Sequence, residues 1–527
     1  MPFVLQGDKM KYAVSSQEMK RYDRNTSEYF GISSEVLMER ASLKAVEHIL
    51  KWIKIRECDR RYKALVICGV GNNGGDGACI ARLLMQQNIL VNFCVVGDYT
   101  KCSDLLLKQL SILKNYGAQT DTFSNICDNK SSFEWDIIVD AMFGIGLSRP
   151  VAGDYAKAVD YINSCKEDKK SDLLVLSVDM PSGINADNGE ICQKAVRADI
   201  TVTFNHTKIG QILYPGCEYA GEVVIEDAGI TKESFLGKEP GAFYYDEDVK
   251  SLIPARKADS NKGTNGKVLL IAGSENISGA CILAAKALFA AGVGMVRVFT
   301  AVQNAEAVKE LIPEAMIDTY GKDEDTTGKL EMLLGWSTAV VLGPGIGTNA
   351  QAKDIVHFVL SFYDKDLVMD ADAINLVSES DELKSLLSNY ARNGKKLILT
   401  PHLGEFSRLS GRSVSECKKG ILSFPKELAD MLHCTIVCKD SRTVVADSNE
   451  KKIYINVSGN DGMATAGSGD VLSGIVGALL SHKMSSFKTA CVSVYLHGLS
   501  GDAAAKTVGK SAMTASDIAE HIGDFLE

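Results

Sequence analysis

The chain has 527 residues, 46% of them hydrophobic and 24% charged, with a formal net charge of −10. It is too long for one core and calls for two to four domains of ordinary globular composition. The negative balance argues against nucleic acid or an anionic membrane as the main partner. A few local N–H groups, Lys or Arg could still hold an anionic nucleotide.

No apolar run reaches membrane-spanning length, and the first residues do not read as a secretory signal. Met10 is an alternative start, with the first nine residues an extension. The 14 cysteines contain no Cys-x-x-Cys pair and fall mostly in apolar segments, which indicates a reduced, cytoplasmic protein. Cys434 and Cys438, beside His433, could be metal ligands, but their spacing on a strand favours core packing.

Ser15-Ser-Gln-Glu18 has the spacing of a capping box and predicts a helix to about Asn25; a second follows Ser33-Ser34 through about Trp52. Strands are then expected over 63–68, 90–96, 135–139, 173–178, 200–204 and 222–225, with helices over 76–87 and 105–115. Such apolar strands separated by helices indicate a parallel sheet covered on both faces. The polar stretch 231–241, with Gly237, Pro240 and Gly241, has no periodic pattern and marks the domain boundary. Strands resume over 268–272, 295–299, 339–342, 367–370 and 397–400. A β-rich close over 435–439, 443–446 and 452–457 follows, then three helices, the last at about 515–525. The halves share no evident repeat, so the expected fold is α/β, in two domains of different make.

Gly69-x-Gly71-x-x-Gly74 follows the strand over 63–68 and has the dinucleotide-binding spacing, with Asp98 near the end of the next strand. A hydride-transfer enzyme is therefore one reading. Against it, the loop carries Asn72, Asn73 and Asp76, which present oxygen ligands, and Asp76 could also cap the next helix. Asp140 and Asp179 end two further strands, and ligands of a parallel sheet gather beyond such carboxyl ends. Each Asp alone reads as a cap; three oxygen-bearing loops at one edge read as a site.

In the second half, Gly459–Gly474 runs from a strand into an apolar helical segment. Gly467, Ser468 and Gly469 fall where unpaired helix N–H groups can cradle phosphate. Asp470 beside them is either a general base for a hydroxyl attacking a phosphoryl group or an ordinary N-cap.

Asn72-Asn-Gly-Gly-Asp76, Asp140-Ala-Met-Phe-Gly144 and Asp179-Met-Pro-Ser-Gly183 resemble the signature loops of the NAD(P)HX epimerases. These interconvert the R and S forms of NADH or NADPH hydrated at ring position 6. The resemblance implies potassium on Asn73, Asp140 and Ser182, with Asp179 catalytic. It implies substrate contacts at Asn72, Asn73, Gly74, Gly75, Asp76, Gly144, Ile145, Gly146, Leu147, Ser148, Arg149, Pro150 and Asp179. Three hard oxygen donors suit an alkali or alkaline-earth cation, although residue types do not single out potassium.

The second half is similar to the ADP- or ATP-dependent NAD(P)HX dehydratases of ribokinase-like fold. The matching residues include Lys262-Gly, Gly343-Pro-Gly345, Asp370-Ala-Asp-Ala373, Thr400-Pro-His-Leu-Gly-Glu405 and Gly467-Ser-Gly-Asp470. The match implies that Ala280, Gly345, His402 and Asp470 contact the hydrated cofactor, and that Asp470 is the catalytic base. It also implies that Lys439, Asp440, Ser441, Arg442, Thr443 and Gly469 contact ADP or ATP, which would arrive with magnesium. Departures from the family pattern are Asn261 before Lys262, the charged Lys439–Thr443 loop and Ala466 before Gly467.

The order of motifs is that of fused repair enzymes, an epimerase over 10–236 and a dehydratase over 242–527. ADP is the expected donor, since fused members generally use it. The implied ligands are small molecules, with no nucleic acid or membrane, and a homo-oligomer is compatible. The rivals are a ribokinase-like vitamin or sugar kinase with an accessory domain, and a non-catalytic nucleotide-binding regulator.

Overall fold

The computed structural model describes residues 10–56, 60–118, 120–128, 135–169, 172–246, 248–256, 258–322 and 324–526. Residues 1–9, read above as an extension, lie outside them. The described chain forms two compact units, Tyr12–Ala242 and 243–526, with residues 10 and 11 grouped with the second. Among the described residues no helix is long and apolar enough to cross a membrane.

The first unit is built on a seven-stranded parallel sheet. Its spatial order is Thr120–Asp121, Leu90–Val95, Lys63–Cys68, Ile137–Ala141, Leu174–Val178, Ile200–Phe204 and Glu222–Glu226. In Lys63–Cys68 the side chains alternate between two apolar layers. Ala64, Val66 and Cys68 pack with the helices Ser34–Ile55 and Asn72–Gln86, and Leu65 and Ile67 with Asp154–Lys169 on the other face. Double coverage explains why these strands read as continuous apolar runs. The strand order reverses between Lys63–Cys68 and Ile137–Ala141, which opens a crevice beyond their carboxyl ends.

The boundary stretch is docked, not loose. Lys232–Phe235 forms a short 3-10 turn whose Phe235 is buried against Tyr12, Tyr22 and His206. Tyr22 donates to the Lys238 carbonyl at 2.7 Å, and Glu18, from the capping box, accepts the Gly241 N–H at 2.8 Å.

The second unit carries these neighbouring strands, in the order Met316–Tyr320, Met295–Ala301, Lys267–Ile271, Ala339–Leu342, Asp366–Met369, Leu397–Leu399, Thr435–Cys438, Val444–Asp447 and Ile453–Ile455. The first seven run parallel and the last two follow as antiparallel neighbours. Met316–Tyr320 was not expected: only partly apolar, it gains its place as an edge strand beside Met295–Ala301. Helix Ser468–Ser481 lies directly on the sheet. A Cβ on Gly477 would stand 2.3 Å from Val341 of the sheet, and one on Gly474 would stand 2.4 Å from the Ala284 carbonyl oxygen of the neighbouring helix Gly279–Ala290, so glycine permits both approaches. Cys434 and Cys438 belong to the buried core of this unit, 3% and 0% exposed.

Candidate active sites

The first unit holds a cavity of about 710 Å³ at its crevice, lined by Asn72, Asn73, Asp76, residues 144–149 and Asp179. Gly74, Gly75 and Pro150, expected at the same site, do not line it, and Asp98 lies outside it, capping the exposed turn Tyr99–Lys101. Gly74 instead makes the loop possible, since a Cβ there would sit 1.9 Å from the Gly69 carbonyl oxygen. The helix begins at Asn72 with Gly71 as N-cap, so Asp76 lies inside the helix and does not cap it.

Asp140 is fully buried and joins two loops. It accepts Ser177 Oγ at 2.9 Å, Ser182 N–H at 2.8 Å, Ser182 Oγ at 2.6 Å and Met142 N–H at 3.3 Å. Ser182 Oγ in turn accepts the Phe143 N–H at 2.9 Å. Burial raises the Asp140 carboxyl above the ordinary range while these donors oppose the shift. No Lys or Arg among the described residues pairs with it. Asn73 Nδ2 is also buried without a hydrogen-bond partner. A buried carboxylate without a cationic partner and the Ser182 hydroxyl oxygen beside it are hard oxygen donors, the type that suits an alkali or alkaline-earth cation.

Asp179 adopts φ of +66°, turning its carboxylate toward Gly144, where a Cβ would stand 3.2 Å from Asp179 Oδ2 and 3.3 Å from Asn73 Oδ1. Its Oδ1 pairs with Lys208, a lysine only 1% exposed whose Nζ also donates to Thr203 Oγ1 at 2.8 Å and the Phe204 carbonyl at 3.2 Å. Gln211 Nε2 holds the Asp179 carbonyl at 2.7 Å. Asp23, from helix Ser16–Arg24, lines the same cavity. Sequence reasoning missed Asp23 and Lys208. Lys208 had a signal, a lone cation in an apolar stretch after a strand; Asp23 had none.

In the second unit the expected residues gather at the carboxyl ends of the strands. Gly345, at φ +63°, abuts Ala280: a Cβ there would stand 3.0 Å from Ala280 Cβ. Gly467, at φ +88°, is the N-cap of helix Ser468–Ser481, so Asp470 stands in the first turn and does not cap it. Lys439 begins the hairpin turn after Thr435–Cys438 and folds inward. Its Nζ lies 2.8 Å from Asp370 Oδ1 and 3.3 Å from where a Gly469 Cβ would be. Ser473 Oγ holds the other Asp370 oxygen at 2.6 Å. Asp370, 1% exposed, was named in the sequence only as part of the motif Asp370-Ala-Asp-Ala373, with no role assigned to it.

Arg442 turns instead to the Val457 carbonyl at 3.0 Å, Thr443 donates to the Asp440 carbonyl at 3.4 Å, and Ser441 is exposed. His402 caps helix Leu403–Ser410, its Nδ1 accepting the Gly404 N–H at 2.9 Å, and Glu405 accepts the His402 N–H at 2.8 Å. Burial, with Lys439 and Arg408, lowers the His402 pKa.

The charges of this cluster are unequal. Burial raises the Asp470 carboxyl to about 7, helped by Asp370, Asp372 and Glu405 and opposed by Lys439. Burial also works against the Lys439 ammonium, but Asp370, Glu405 and Asp470 outweigh it and raise its pKa. A carboxyl near 7 at a helix N-terminus is suited to take a proton at neutral pH.

A family model described as NAD(P)H-hydrate dehydratase matches residues 268–523, and one described as YjeF-related protein N-terminus matches 34–210. The chain is 34% identical to the bifunctional NAD(P)H-hydrate repair enzyme Nnr of Thermofilum pendens, over 97% of this chain and 95% of that one. It is 31% identical to the enzyme of the same name from Escherichia coli, over 95% and 92%. Among solved structures, the ADP/ATP-dependent NAD(P)H-hydrate dehydratase of Bacillus subtilis is 27% identical over 53% of this chain and 94% of that one, with a TM-score of 0.45. The chain belongs to the family of bifunctional NAD(P)H-hydrate repair enzymes.

Proposed function

We propose that this protein restores hydrated NADH and NADPH in two steps. The epimerase segment, 10–236, interconverts the R and S hydrates, and the dehydratase segment, 242–527, removes water from the S form with ADP or ATP. The observation that carries this reading is Asp470, a carboxyl raised to about 7 beside the glycine turn Gly467–Gly469.

Hydroxide is a poor leaving group and phosphate a good one. Asp470 takes the proton of the ring hydroxyl as its oxygen attacks the terminal phosphoryl group of the nucleotide. Phosphate then departs with the C–O electron pair, and loss of a ring proton completes the dihydronicotinamide. The N–H groups at Gly467–Gly469 stabilise charge on the group in transfer. Ala280, Gly345 and His402 line the hydrate; Lys439–Thr443 and Gly469 serve the nucleotide, with magnesium arriving as part of that substrate.

In the first unit Asn73, Asp140 and Ser182 would hold potassium, whose charge would offset that of buried Asp140. Asp179, held by Lys208, is the base of the epimerisation. Both ligands are small molecules in this reading, and the protein works in the cytoplasm.

The test uses the full chain, a mixture of both hydrated NADH epimers and each nucleotide in turn, followed by the return of dihydronicotinamide absorbance. Wild type consumes the whole mixture, whereas Asp179→Asn consumes one epimer quickly and leaves the other. Equal consumption of both epimers by Asp179→Asn would sink the epimerase assignment.

A further inference from the structure

The epimerase cavity holds three carboxyls, Asp23, Asp76 and Asp179, and one buried ammonium, Lys208. That ammonium is fully committed, to Asp179, Thr203 Oγ1 and the Phe204 carbonyl. The Asp76 side chain has no hydrogen bond or ion pair with any described residue. The titratable groups around it are Asp23 and Lys20 on helix Ser16–Arg24, Arg149 and Tyr155 along the loop and helix opposite, Asp179 with Lys208, and the Cys68 thiol. Lys20 and Arg149 are exposed, so neither offsets a charge at depth.

In a walled cavity, carboxylates sharing one cation cannot all stay ionised; of the two without a counter-ion, Asp23 is exposed to water, so Asp76 is the one that keeps its proton. Environments that separate two carboxyls in this way assign the acid and the base. We infer that Asp76 is the general acid of the epimerase cavity and that Asp179 is its general base. The inference rests on the epimerase reading above and adds a division of labour to it. In support, burial pushes the Asp76 carboxyl well above its ordinary range, with Asp179 and Asp23 adding to the shift.

The chemistry balances without any outside reactant. Position 6 of the hydrated ring carries its hydroxyl on the carbon bonded to the ring nitrogen. Asp76 gives its proton to that hydroxyl, the C–O bond breaks and water leaves. The nitrogen lone pair becomes the second bond of a planar C=N iminium. Water adds to the opposite face and loses a proton to Asp179, giving the other epimer. Asp179 is then protonated and Asp76 ionised, and one proton moved through water in the cavity restores the start.

The test is interconversion of separated R and S hydrates of NADH by the full chain without nucleotide, so that the dehydratase step is silent. Asp76→Asn keeps the shape and offers an N–H where the acid has its O–H, so it can bind but not release a proton. The expected result is an unchanged KM with kcat lower by about 10²- to 10⁴-fold. Wild-type kcat should fall at high pH as Asp76 ionises, and that fall should be absent from the residual rate of Asp76→Asn. A near-normal kcat in Asp76→Asn, or a high-pH fall that persists in it, overturns the acid role. If Asp179→Asn is inactive in that same experiment, the epimerase reading stands without it. If wild type does not interconvert the epimers, both fall together.

Discussion

The two units each set one lysine among several carboxyls, and they spend it differently. In the first, Lys208 pairs with Asp179, the proposed base itself. In the second, Lys439 pairs with Asp370, a neighbour, and the proposed base Asp470 is left with a carboxyl raised to about 7. In the second unit the spent cation leaves Asp470 a base that works only above its own pKa. The two sites thus differ in which carboxylate holds the ammonium.

The sharpest way to break this comparison is Asp470→Asn. The amide keeps the shape and loses the base, so dehydration should slow by about 10²- to 10⁴-fold while nucleotide affinity holds or improves, because a repulsive charge has gone. Steady-state rates with a parallel nucleotide titration check this, and a near-normal turnover number would remove the kinase-like mechanism.

A smaller effect separates the units. Asp140→Ala or Asn73→Ala should lower potassium-dependent epimerisation by about 10- to 100-fold, a range typical for loss of support at a metal site. The dehydratase step should be unaltered. Epimerisation rates across a potassium series measure it, and an unchanged response would dispose of the cation site.

The subtlest effect sharpens the comparison through pH. Asp470 must be ionised to act, so dehydration should rise with pH through about 7 and level off above it. Lys439 opposes the raised pKa, so Lys439→Met should move this rise to higher pH, by about fivefold in rate at pH 7 if the move is one unit. Because Lys439→Met leaves Asp370 buried without its cation, the double variant Asp370→Asn/Lys439→Met is the control, and its profile should return toward wild type. A profile that stays in place in Lys439→Met would mean that the pair does not tune Asp470.

Much of this was legible in the chain. The apolar strand over 339–342 appears as expected, because a strand covered on both faces is apolar throughout. The segments bearing Asn72 and Asp179 were readable because glycines and oxygen-bearing side chains follow such strands, and that bearing Asp470 because a glycine run leads into an apolar helix. Edges and ends were less so. Met316–Tyr320 lacks the apolar run of a central strand, and the helix at Asn72 starts before its periodic apolar residues do. Element type, strand direction and the candidate loops follow from local pattern, since alternation and turn chemistry act over a few residues.

What pairs with what does not follow from local pattern. Nothing near Asp179 in the chain announces Lys208, 29 positions away, and nothing near Lys439 announces Asp370, 69 positions before it. Ionisation depends on distance and burial in three dimensions. The sequence by itself therefore named most of the carboxylates, though not Asp23, and only the tertiary structure decided which of them holds the cation and which is left to move a proton.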